Sequence, residues 1–199
     1  MTIAAILLAV FTAASAPVTD TTVDAQHDYT AADIQFMDGM IAHHAQALLM
    51  AGWAESHGAS PAVLTLTSRI TNAQKDEIAA MQKWLRDRHQ PVPEADPHGM
   101  MMNMNGMQHE MLMPGMLTES QLKQLDEARS KDFDRLFLTF MIQHHRGAVT
   151  MVNDLFGTNG AAQDITVYKM ASDISADQTT EIERMQKMLA STVFGTTIQ

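Results

Sequence analysis

No cysteine occurs anywhere in the 199-residue chain. That excludes disulfide staples, thiolate metal sites and cysteine nucleophiles. Lysine and arginine are scarce, 13 against 23 acidic residues, and the formal net charge is -10. A nucleic-acid partner is excluded on that ground, because neutralising phosphates needs a basic surface. Two Trp and two Tyr leave few stacking platforms. What the chain has instead is sulfur without thiols, in 18 Met, together with 9 His. Thioether and imidazole are the ligands of soft metal ions, and an acidic surface attracts cations.

The first sixteen residues, MTIAAILLAVFTAASA, are apolar and end in small side chains, as a secretory signal does, although no basic residue precedes them. Residues 1–16 are therefore read as a signal peptide and 17–29 as a flexible segment. The apolar run is shorter than the roughly 20 residues that span a bilayer, and no other segment is long enough. The expected location is periplasmic or secreted, with no membrane span once the signal is removed. An oxidising compartment suits a chain that uses Met rather than Cys as its soft ligand.

Capping signals divide the remainder into helices. Thr30-Ala-Ala-Asp33 opens a first helix, Gly58 stops it near His57, and Ser60-Pro61 opens a second that ends before Gln90-Pro91. Thr118-Glu-Ser-Gln121 is a capping box for a third, with a pause near Ser130 before an apolar run to Phe156. A fourth covers about 164–190. Between them, residues 91–117 hold eight Met from Met100 to Met116 with Gly and Pro interspersed, and this stretch reads as a loop.

An internal repeat sets the expected architecture. FMDGMIAHHAQALLM (Phe36 to Met50) aligns without gaps to FLTFMIQHHRGAVTM (Phe137 to Met151). Gln74, Glu77, Ile78, Met81, Gln82 and Leu85 likewise match Gln178, Glu181, Ile182, Met185, Gln186 and Leu189. Two homologous antiparallel hairpins, 30–90 and 118–190, predict an all-α, ferritin-like four-helix bundle in one domain over 30–190.

Each repeat carries Met-x-x-His-His with a further Met six residues beyond the pair. On a helix turning about 100° per residue, Met37, Met40, His43, His44 and Met50 share one wide face. The adjacent His diverge by about 100°, so one ion could hardly take both from one regular helix. Two neighbouring sites and one inter-helix site both remain open. Met141, His144, His145 and Met151 repeat the pattern, with Leu138 in place of Met37. On the partner helices Gln74, Glu77 and Met81, and Gln178, Glu181 and Met185, lie in narrow stripes able to face the His. The donor set suits Cu(I), accepts Cu(II), admits silver as a surrogate, and offers too few oxygens for Mg²⁺ or Ca²⁺. In the connecting segment, His98 and His109 flank Met100, Met101, Met102, Met104 and Met107, a candidate low-affinity collector. Met also fills irregular cores and polar low-complexity segments are often mere connectors, so the same residues admit a metal-free packing role.

The paired Met-Ile-x-His-His runs, the two Gln-x-x-Glu-Ile-x-x-Met runs, Met113-Pro114-Gly115-Met116 and Phe133-Asp134-Arg135-Leu136-Phe137 together resemble a ferritin-like, His/Met-rich bacterial family that includes the periplasmic copper-binding CopM-type proteins. The resemblance runs from about Asp33 to Leu189. It implies a helical bundle that binds copper outside the cytoplasm and contributes to copper homeostasis or resistance. Ala42 departs from the Pro that often precedes the His pair in such proteins. Three functions compete: a binding protein that buffers copper or passes it to a partner, as a monomer or a homo-oligomer; a ferritin-like oxidase; and a metal-free helical interaction protein. Carboxylate di-metal oxidases need Glu-x-x-His motifs, and this chain has none, so the expectation is a non-enzymatic binder.

Overall fold

The computed structural model describes residues 29–104 and 107–194. The proposed signal peptide, nearly all of the segment expected to be flexible, and the C-terminal tail lie outside them. Five helices occur among the described residues: α1 (Ala31–Gly52), α2 (Pro61–Asp87), α3 (Glu119–Glu127), α4 (Ser130–Gly157) and α5 (Ile165–Phe194). The capping signals act where the sequence puts them. Thr30 and Asp33 form a reciprocal capping box, Ser60 accepts from the Val63 N–H with Pro61 at the first helical position, and Thr118 pairs with Gln121.

The segment read as a loop contains an antiparallel hairpin, β1 (Met100–Met104) and β2 (Met107–Met111), which corrects that reading. Met102 pairs with His109 and Met100 with Met111. Few β-branched residues advertise it. Gly99, at φ +116, is where the chain turns into β1 beside the Met111 carbonyl, an arrangement a Cβ would obstruct.

α1 packs on α2, α4 packs on α5, and α1 and α4 pack on each other. The burial pattern explains why those two are central. α2 buries a stripe at helical spacing, Val63, Leu66, Ile70, Gln74, Ile78, Met81 and Leu85, and wets its other face. α1 instead is buried continuously from Gly39 to Ala47. A helix covered on all sides must lie inside.

Two buried carboxylates lock the hairpins together reciprocally. Asp33 on α1 accepts from the Ala162 N–H in the α4–α5 turn at 2.7 Å, and Asp134 on α4 accepts from the Ser60 N–H in the α1–α2 turn at 3.1 and 3.3 Å. These aspartates occupy the same position in the two repeats. Asp33→Ala or Asp134→Ala leaves an N–H without its acceptor, and each is expected to cost about 1–3 kcal/mol. A urea midpoint shifted to that extent at unchanged slope checks it; a shift below about 0.5 kcal/mol contradicts it. The break between α3 and α4 comes from His57, whose ring bonds the Asp126 carbonyl at 2.9 Å while its own carbonyl accepts from Ser130.

Candidate metal centre

The apolar interior is divided. One cluster takes Phe36, Met37, Met40 and Ile41 from α1, Ile78 and Met81 from α2, Ala148 and Met151 from α4, and Ile174 from α5. The other takes Ala47 and Met50, Leu66 and Ile70, Phe137, Leu138 and Phe140 to Ile142, and Met185. Every long helix therefore passes from one cluster to the other, at 42–46, 71–77, 143–147 and 175–181. In that gap lie His43, His44, His144, His145, Gln74 and Gln178, all buried, with Glu77 and Glu181 at its edge. A polar layer crosses the middle of the bundle.

The geometry within the layer is duplicated. His44 Nε2 lies 2.7 Å from Glu77 Oε2, and His145 Nε2 lies 2.7 Å from Glu181 Oε2; in both pairs the imidazole is fully buried and the carboxylate side chain is 21% exposed. A carboxylate only accepts, so each Nε2 carries the proton and each Nδ1 keeps its lone pair. Neither Nδ1 has a hydrogen-bond partner. On the pseudo-twofold, His43 and His144 lie against each other with ring centroids 3.7 Å apart and planes tilted by 36°, while the rings within each His-His pair are 6.3 Å apart. The divergence expected of adjacent helical residues is present. His43 Nε2 bonds the Pro114 carbonyl at 3.1 Å, and both nitrogens of His144 are without partners. Gln74 and Gln178 also carry unpartnered amide atoms.

Burial favours the neutral form of three of these rings, His43, His144 and His145. It pushes His43 down to about 3, with His44 adding to the fall, and His144 well below the ordinary imidazole range, with His43 adding to the fall. His145 is lowered by burial despite the opposing Glu181 carboxylate. Neutral imidazole is the form that donates to a metal.

Every methionine named from the helix faces is buried, but the grouping differs from helix-face reasoning. Met40, Met81 and Met37 share their cluster with Met151 of the other repeat, and Met141 and Met185 share theirs with Met50. Met50 lies ten residues beyond Met40, about 15 Å along the helix, so a common face does not bring the two together. The sulfurs are crossed between repeats, and unequal: one cluster has Met37 where the other has Leu138. Glu77 and Glu181 bond the His. Gln74 and Gln178, seen in the sequence only as members of the stripe, belong to the buried layer.

The linker residues are placed elsewhere. Met100, Met101, Met102 and Met104 lie on β1 and Met107 and His109 on β2, while His98 is exposed at the turn before β1. The hairpin is attached above the layer. Gln46 donates to the Pro97 and Leu117 carbonyls at 3.0 and 3.1 Å and accepts from the Leu117 N–H at 2.6 Å. Among the described residues, no group of three or more His, Asp or Glu forms a metal site unaided. Thioethers would have to complete one.

No curated protein matches the chain. Solved structures do. It is similar to a DUF305 protein from Streptomyces coelicolor named as a presumed secreted protein, at 28% identity and TM-score 0.67, covering 83% of this chain and 94% of that one. A DUF305 fragment from Deinococcus radiodurans follows at 27% and 0.66, covering 81% and 97%. CopM in its Cu(I)-bound form matches at 27% and 0.60, covering 80% and 96%; CopM is also solved with Cu(II) and with silver. The expected bundle of paired hairpins is the CopM-like fold. Residues 33–189 match the family described as Domain of unknown function (DUF305), and the chain belongs to that family.

Proposed function

We propose that this protein binds copper outside the cytoplasm, sequestering the ion or handing it on, without turnover. The observation that carries the reading is the duplicated His-Glu pair. In both His44–Glu77 and His145–Glu181, one ring nitrogen is bonded outward to a carboxylate and the other is left as a buried lone pair. That is how proteins orient and activate a metal-binding imidazole, whereas a structural core His would have both nitrogens satisfied. The neighbouring donors are thioethers, which favour Cu(I) and admit silver. In each half the ligands would be drawn from the His pair, Met40 or Met141, Met81 or Met185, and the crossed Met151 or Met50.

The metals bound by CopM agree with this choice of ion, and the name of the Streptomyces relative agrees with export. The Met-rich hairpin serves as a lower-affinity collector beside the centre. Anaerobic Cu(I) titration against a competing chelator tests the reading, using wild type and a variant with His43, His44, His144 and His145 all changed to Ala. Binding by the wild type and at least about a hundredfold weaker binding by the variant, from loss of the imidazole donors, is expected. Equal binding by both proteins moves the site to the hairpin, and no binding by the wild type ends the copper reading.

A further inference from the structure

The duplication gives His43 and His144 the same helical position, yet their surroundings differ for a topological reason. The linker between the repeats exists once, so it can cover only one of them. It covers His43. Its return path brings the Pro114 carbonyl to 3.1 Å from His43 Nε2, and a carbonyl oxygen can only accept. Each ring also faces the backbone of the other histidine, but the linker gives His144 no counterpart of the Pro114 bond, and neither His144 nitrogen has a hydrogen-bond partner.

Two residues at aligned positions hold this arrangement. Gln46 of the first repeat and Gly147 of the second follow their His pairs by the same step. Gln46 anchors the linker on both sides of the hairpin, through Pro97 and Leu117. Gly147 supplies room: a Cβ there would lie 1.8 Å from the Pro114 oxygen and 2.6 Å from Gly115 Cα. Gly115 answers it, at φ +78, with a position where a Cβ would meet the Gln143 carbonyl at 2.7 Å. One repeat has diverged to grip the linker and the other to let it approach.

We infer that Gln46 and Gly147 are positioning residues that seat the linker so that the Pro114 carbonyl fixes His43 as the Nε2–H tautomer. His43 then offers a metal only Nδ1, while His144 keeps either nitrogen available, and the two halves of the centre are inequivalent donors. The metal part rests on the copper reading; the tautomer part does not.

Long-range ¹H–¹⁵N spectra of the metal-free full chain at mildly alkaline pH test it. His43 is expected as a single Nε2–H tautomer, and finding it as Nδ1–H overturns the inference. Gly147→Ala favours the helix itself but displaces the linker, and Gln46→Ala releases the linker without adding an atom to the interior. In either folded variant, His43 is expected to lose its single tautomer while His44 and His145, held by carboxylates, keep theirs. A Leu117 amide shift reporting a detached linker with His43 unchanged overturns it. Silver titration of the wild type separates the two claims. Silver bound with His43 losing its Nε2 proton sinks the inference and spares the copper reading; no silver or Cu(I) bound sinks the copper reading, whatever the tautomer.

Discussion

Acidifying the metal-free protein from pH 7 to pH 4 is expected to unfold it. His43 titrates at about 3 in the folded state against an ordinary value of 6.5, and His144 is lowered in the same direction. Between those limits the unfolded chain takes up protons that the folded chain refuses, so stability rises with pH and is lost on acidification. Above 6.5 both states hold neutral rings and the contribution is flat. Each such ring removes about 1.4 kcal/mol per pH unit within the window. Over two units His43 alone removes about 3 kcal/mol, and His144 adds to the loss in the same direction, a large part of the stability of a marginal domain. His145 acts in the same sense, with its carboxylate partner opposing the shift. Asp38 and Asp177, raised by burial and in the second case also by Glu77, Glu181 and Asp173, pull the other way at lower pH, but neither is deeply buried. Circular dichroism against pH should give an acid transition above about pH 4. A fold intact at pH 3 would show that the His layer is not held neutral.

Removing the carboxylates behind the His should weaken copper binding without unfolding the bundle. Glu77→Ala and Glu181→Ala each strip an imidazole N–H of its acceptor, so the ring loses both its fixed tautomer and the charge that raises its basicity. Losses of about 10–100-fold per carboxylate are typical of such outer partners. Glu77→Gln and Glu181→Gln keep an acceptor and lose only the charge, so they should fall between wild type and Ala. Both carboxylates are partly exposed, which limits the cost to folding. Affinity within about threefold of wild type in the Ala variants would mean that the His44 and His145 lone pairs are not the donors, since the typical loss is far larger.

Much of this architecture was readable because it is local or repeated. The capping residues Thr30, Ser60 and Thr118 act within three residues of themselves, and the duplicated Met-x-x-His-His runs imply two equivalent hairpins before any contact is known. What escaped depends on distance in the chain. Asp33 looks like an ordinary first-turn acid and Asp134 like a helix-surface one, yet their partners are 129 and 74 residues away. Helix periodicity put Met50 beside Met40 in angle but carries no information about the opposite repeat, so the exchange of Met50 and Met151 was hidden. The hairpin was missed because Met and Asn are weak strand formers, and its pairing is set by the return of the chain rather than by β-branched side chains. Gln46 and Gly147 align in the repeat as an unremarked mismatch. Only the path of the linker gives that mismatch a meaning.

The central claim is that copper binds in the buried layer through imidazole and thioether together. X-ray absorption of the Cu(I)-loaded protein measures this directly. The spectrum should contain both nitrogen and sulfur scatterers, losing sulfur when Met40, Met81, Met141 and Met185 are changed to Leu and nitrogen when the four His are changed to Ala. Copper held with an unaltered spectrum in both variants would contradict the account.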